Sequence, residues 1–203
     1  RKLLAPCLVD PHSILEESIC SKRETLASLC KAAAAAGYGH LALLPRSHSF
    51  RDRPERLNGF NSKGDVAIHL WGSFSKEGEA KELSAHGDLI ENGAIGIAED
   101  DYIPPLDLLQ RGLVLKEMGT APILLAPRDK TIQGNGIVRE GVETLRAGWE
   151  PDPIASETLP LRQLIELHKQ HPDCSMRLMN ISTSEGVEML SSGGSKTLAS
   201  VCW

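Results

Sequence analysis

The sequence predicts an α/β fold: a (β/α)8 TIM-type barrel of which about seven strands are present, with the eighth strand and an accessory β-sandwich missing. Three observations predict it. Short apolar runs alternate with amphipathic stretches from end to end, and repeated strand–helix units imply parallel strands, because each crossover must return over the sheet. The apolar runs lack strict alternation, as expected when both faces of a strand are buried. No Gly-x-Gly-x-x-Gly follows the first strand, so the runner-up, an open doubly wound sheet, gains no dinucleotide fingerprint.

Each element follows from its residues. Leu3–Asp10 reads as the first strand. Glu24–Gly37 reads as a helix with Leu26, Leu29, Cys30 and Ala33 on one face, and Gly37 is a natural stop. His40–Pro45 is a second strand, and Arg51–Phe60 a charged, helical connection. Val66–Gly72 is a third strand. Glu79–Asn92 is a helix closed by Gly93, and Ala94–Ala98 a fourth strand. Pro105–Met118 is a helix with Pro in its first turn, followed by a fifth strand at Pro122–Pro127. Thr131–Asp152 is rich in Gly; its Gln133-Gly134-Asn135-Gly136 run lacks the Lys-Ser/Thr ending of a phosphate loop and reads as a flexible loop. Ser156–His171 is a helix with Leu161, Leu164, Ile165 and His168 at helical spacing. Ser175–Ile181 is a sixth strand, Thr183–Leu190 a short helix, and Leu198–Trp203 the start of a seventh strand.

Composition bounds the function. The 203 residues carry a formal net charge of -5 and suit one partial barrel domain over 1–203. The hydrophobic fraction of 41% supports a sizeable core, and with only 4% aromatics that core must be mostly Leu, Ala, Ile and Val. Mild acidity argues against a nucleic-acid surface. No apolar run approaches the ~18 residues of a membrane span. The five cysteines are an odd number without Cys-x-x-Cys spacing, which points to reduced, mostly buried thiols and a cytoplasmic setting. Arg1 in place of Met and the apolar run at the end read as the cut ends of a longer protein.

One run carries the most chemistry: Leu8-Val9-Asp10-Pro11-His12-Ser13-Ile14-Leu15-Glu16-Glu17, an apolar strand feeding a polar tip. With it go Arg23-Glu24-Thr25-Leu26-Ala27-Ser28-Leu29, Asn135-Gly136-Ile137-Val138-Arg139-Glu140-Gly141 and Asn180-Ile181-Ser182-Thr183-Ser184-Glu185-Gly186-Val187. In order and spacing these segments resemble the dihydroorotases of the amidohydrolase superfamily, most closely a divergent bacterial, dihydroorotase-like branch with eroded metal motifs. The resemblance implies a metal-bearing barrel that reversibly hydrolyses the cyclic amide of dihydroorotate in pyrimidine biosynthesis, with zinc or another divalent metal.

Matched to that family's pattern, His12 is the surviving metal ligand of the first strand. Ile14 stands where a second His is expected, and Glu16 where an Arg is expected. Arg46, in Leu44-Pro45-Arg46-Ser47, replaces a substrate-holding Asn. Glu99-Asp100-Asp101 resembles an Asp-Asp-Gly turn, and a ligand His is expected near Ala126. Asn180 takes the place of another ligand His. The final catalytic Asp falls beyond Trp203. The candidate catalytic acids are Asp100 and Asp129, the candidate substrate-binding residues Arg46 and Asn180, and the candidate metal ligand His12.

The chemistry that the resemblance implies needs metal-bound water whose pKa drops from about 15.7 to about 7, and the metal needs three or four good ligands. With one matched imidazole, the expectation is impaired catalysis in a non-catalytic homologue or scaffold. Such a chain would bind a small carboxylated cyclic amide or serve a partner of the aspartate transcarbamoylase type, with a homo-oligomer as a further expectation. Two alternatives stay open: an active hydrolase using a shifted set of His12, Glu99, Asp100 and Asp129, and a regulatory module binding an anion through Arg46 and Arg128. His12 can equally be a polar strand-end residue bonded to backbone, and Glu99–Asp101 a solvated loop.

Overall fold

The structure, a computed structural model, describes residues 5–15, 24–47, 50–60, 64–192 and 197–202. It consists of two compact units, Arg1–Ala98 with Glu117–Ala121, and Glu99–Lys116 with Pro122–Trp203.

The first unit begins with strand β1 (Leu8–Ser13), helix α1 (Leu26–Ala35) and strand β2 (Tyr38–Leu43). Thr25 starts α1 with a reciprocal cap: its side chain accepts from Ser28 N at 3.1 Å, and Ser28 Oγ accepts from Thr25 N at 2.9 Å. Two of the four N–H groups that a helix start leaves unpaired are answered this way. Gly37, at φ +88, provides the left-handed residue that turns the chain into β2. Strand β2 runs parallel to β1 and to β3 (Ala67–Leu70). Ala33, Leu41 and Val66 bury the helix against the sheet, with Leu29, Cys30, Tyr38 and Ile68 packed around them.

At Trp71 the third strand bends and continues as β4 (Gly72–Ser73), parallel to β5 (Ile97–Ala98). The indole Nε1 of Trp71 donates to Pro11 O at 2.9 Å. The helix expected over Glu79–Asn92 is only α2 (His86–Glu91). Ahead of it Glu77 and Ala80 sit at positive φ and Ser75 bridges to Leu83, so the first half is a turn-rich segment. The helical connection expected over Arg51–Phe60 reduces to one 3-10 turn, Pro54–Leu57.

The second unit contains α3 (Leu106–Leu115), β6 (Ile123–Leu125), α4 (Lys130–Gln133), β7 (Val138–Arg139), α5 (Val142–Ala147), β8 (Pro151–Asp152), α6 (Ala155–Gln170), β9 (Met176–Ile181), α7 (Ser184–Ser192) and β10 (Leu198–Val201). Strands β6, β9 and β10 are parallel neighbours in that order, and β7 and β8 form a separate parallel ribbon. Ile123, Leu125, Leu161, Leu164 and Met179 are fully buried in this unit.

The Gly-rich stretch read as a loop is therefore a structured excursion. Gln133 Nε2 donates to Gly136 O at 2.8 Å, and a Cβ at Gly136 would lie 2.5 Å from Pro151 O. The backbones approach too closely there for any side chain. Among the described residues, setting the β7–β8 ribbon aside and counting β3 and β4 as one bent strand, seven parallel strands answer to the seven expected from the sequence. Among the described residues no helix is long and apolar enough to cross a membrane.

Candidate functional site

In parallel α/β architectures the reactive side chains gather at the C-terminal ends of the strands. In the first unit that region begins at the end of β1. Asp10 Oδ1 accepts from His12 N at 3.1 Å, and its other oxygen accepts from Ser13 Oγ. The aspartate thus shapes the strand tip. His12 is half-buried at this tip. Ile14, where the sequence resemblance leads us to expect a second imidazole, is 40% exposed and offers only hydrocarbon. Glu16 lies outside the described residues. Arg46 is half-buried just beyond β2.

Beside these, Arg51 is almost wholly buried, at 1% exposure. Its backbone is fixed on both sides: Arg51 N donates to Pro45 O at 3.2 Å, and Arg51 O accepts from Ser73 N at 2.7 Å. Its guanidinium turns onto strand-end carbonyls. Nη2 donates to Leu43 O at 2.9 Å and to Leu44 O, and Nε donates to Trp71 O at 3.4 Å. The Phe60 ring lies over it, 5.0 Å from Cζ. Burial pushes the Arg51 pKa down to about 10. Asp52, next in sequence and also buried, turns the other way: it accepts from Arg56 Nη1 at 2.8 Å and from Glu77 N at 3.0 Å.

In the second unit, Glu99 is buried at the start of the Glu99–Asp101 turn, and its N–H donates to Leu124 O at 3.4 Å. Asp100 and Asp101 are half-buried. Asp129 caps α4: Oδ1 accepts from Thr131 N at 2.8 Å and Ile132 N at 3.2 Å. The Thr131 hydroxyl, acting against some desolvation and aided by those two N–H groups, holds the Asp129 carboxyl below its usual range. Asn180 interrupts β9 at φ 62, a left-handed conformation that Asn tolerates better than most residues, and its N–H donates to Ser200 Oγ at 3.2 Å.

A polar assembly in this unit joins Arg139, Ser182 and Thr183, which lie in segments that carry the resemblance, and Arg128 to Asp152 and Glu157, which no sequence motif singled out. Arg139 reaches Asp152 Oδ2 at 3.1 Å with one amino group and Glu157 Oε2 at 3.0 Å with the other. Arg128 also contacts Asp152 Oδ2 at 3.1 Å. Glu157 accepts from Ser182 N at 2.8 Å, Ser182 Oγ at 2.6 Å, Thr183 N at 3.0 Å and the Thr183 hydroxyl. Burial raises the Glu157 pKa, but these donors and the Arg139 charge outweigh it and hold the carboxyl below its ordinary value. The assembly ties the β7–β8 ribbon and the start of α6 to the end of β9. The partners are up to 43 residues apart in sequence, a separation that no local spacing reveals.

His12 and Arg46 thus belong to the first unit, and Asp100, Asp129 and Asn180 to the second. A catalytic zinc needs three or four nitrogen, sulfur or carboxylate donors. Ile14 has none, Asn180 offers a weak carboxamide, and Asp129 is engaged as a cap. Among the described residues no group of three or more His, Cys, Asp or Glu side chains could hold a metal ion. The described donors do not fit a catalytic metal centre.

No family model matches the chain. It is 35% identical over 229 residues to a probable dihydroorotase-like protein of Synechocystis sp., covering 99% of this chain and 52% of that protein. It is 25% identical to the dihydroorotase of Pelotomaculum thermopropionicum, covering 93% of this chain and 45% of that protein. The chain spans about half the length of these curated relatives. Among solved structures, the L-hydantoinase (dihydropyrimidinase) of Arthrobacter aurescens superposes with a TM-score of 0.71 at 16% identity, over 97% of this chain and 46% of that one. The dihydroorotase of Campylobacter jejuni superposes with a TM-score of 0.57 at 12% identity, over 95% and 53%. The fold is that of the TIM-barrel amidohydrolases, as a partial barrel. Taken together, these similarities identify the chain's homologues as dihydroorotase-like proteins and dihydroorotases, with structural neighbours in the amidohydrolase superfamily.

Proposed function

We propose that the protein is a catalytically impaired dihydroorotase homologue, a binding or scaffolding barrel in pyrimidine biosynthesis. One observation carries this reading: Ile14, matched by sequence resemblance to the strand-end position of a second ligand imidazole, has an exposed hydrocarbon side chain with no lone pair to give. An amide resists water near neutral pH unless water is sharpened to hydroxide, and one imidazole grips a cation too weakly for that. The surroundings support the same reading. Asp129 serves a helix start and Arg128 serves Asp152, so two polar groups proposed for chemistry are engaged in holding the fold. The proposal extends to a cytoplasmic protein that binds a small carboxylated cyclic amide or assembles with a partner of the aspartate transcarbamoylase type, or with itself.

The test is made on the complete protein. Elemental analysis should find well under one equivalent of zinc after mild dialysis, and dihydroorotate turnover should be absent or trace. One or two equivalents of tightly held metal together with turnover would sink the proposal. In that event the set His12, Glu99, Asp100 and Asp129 makes its own prediction, that His12→Ala lowers metal content and activity together.

A further inference from the structure

We propose that Arg51 is a receptor for a compact oxyanion, a carboxylate or phosphate group, bound on its Nη1 at the C-terminal ends of β2 and β3. This goes beyond the reading above and holds whether or not the protein hydrolyses anything. The first observation is the orphan donor: Nη1 is buried and has no hydrogen-bond partner. The second is the charge balance around it. Two carboxylates, Asp52 and Glu77, lie in the local ion-pair cluster, and both serve Arg53 and Arg56. Among the described residues, then, three cations share two anions, and the one without a carboxylate there is the most deeply buried.

A buried, uncompensated charge is costly, and a fixed guanidinium that retains two N–H groups is a strong hydrogen-bond donor to an anion. The geometry also restricts the ligand. Nη2 and Nε are occupied by the carbonyls of Leu43, Leu44 and Trp71, so the paired fork that arginine usually offers is closed. An anion meets Nη1 alone, through one oxygen, which favours a small terminal group over a broad anionic surface. The half-buried Phe60 ring covers the guanidinium, and its displacement is the way in. The carbonyl bonds to Arg51 hold the cation in place before the anion arrives, so binding loses little side-chain freedom.

Calorimetric titration of the complete protein with inorganic phosphate and, separately, with acetate tests this, with chloride holding ionic strength constant. One of the two should bind saturably. Heat from phosphate alone points to a phosphorylated ligand, and heat from acetate alone to a carboxylated one. Arg51→Gln should weaken that binding about tenfold or more. Phe60→Ala, which opens the cover, should change affinity by at least about threefold while leaving stoichiometry at one. Should Arg51→Gln fail to fold, Arg51→Lys and Phe60→Ala still decide the matter, since both should move the affinity. Absence of binding by the unaltered protein, or unchanged affinity in the variants, overturns the proposal. Metal content and turnover, which test the proposed function, are not read by these titrations, so the two can fail separately.

Discussion

Glu157 is a carboxylate removed from water and surrounded by donors, so its ionised form is part of the fold. Its folded pKa lies below the unfolded value of about 4.3, so its stabilising effect is complete above that pH and drains away as pH falls through the folded pKa. Glu157→Gln should cost roughly 3–5 kcal/mol at neutral pH, because it strands Arg139 and several donors. It should also flatten the acid limb of stability against pH, as read by urea denaturation at stepped pH. His86 makes the mirror case with a base. Its Nε2 donates to Phe74 O at 2.8 Å, and its ring stacks on Phe74. Burial pushes its pKa below the ordinary imidazole value, against the opposing pull of that hydrogen bond and of Glu117. The unfolded chain then takes up a proton near pH 6.5 more readily than the folded one, so stability is present above that pH and is lost below it. Melting temperature should fall between about pH 7.5 and 5.5, and His86→Gln should show a smaller fall.

Elements were legible where periodicity was long and punctuated. Helix α6 was expected over Ser156–His171 and found over Ala155–Gln170, because its leucines repeat at helical spacing. Strands β6 and β9 were found inside the expected ranges, because apolar runs of that length between helices have few alternatives. The expected Glu79–Asn92 helix failed in its first half, where Ser75 Oγ accepts from Ala80 N and the Ser75–Leu83 bridge pulls the chain into a turn. Good helix formers such as Glu, Ala and Lys lose to tertiary hydrogen bonds in that segment. Two substitutions probe elements directly. Thr25→Ala removes the cap of α1 and should cost ~1 kcal/mol in chemical denaturation. Gly136→Ala drives a methyl into Pro151 O and Asp152 Cα and should loosen the β7–β8 ribbon, visible as faster proteolysis within 136–152.

At the scale of the whole molecule, the sequence carried the barrel rhythm and the family likeness. It did not carry the polar assemblies, because Arg139–Ser182 or Arg51–Trp71 contacts exist only after the chain has closed on itself. Ile14 and Asn180 were expected as replacements in a matched pattern, whereas Arg51 lay in a segment that read only as charged. The first strand gives the molecule one more property. Trp71 is buried, and its indole N–H is held by the Pro11 carbonyl, whereas Trp149 is 54% exposed. Its emission is therefore a built-in gauge of whether the N-terminal strand is seated. Peeling that strand away would redden the fluorescence of Trp71 and leave Trp149 as it was, so the shift in light would report the strand's departure.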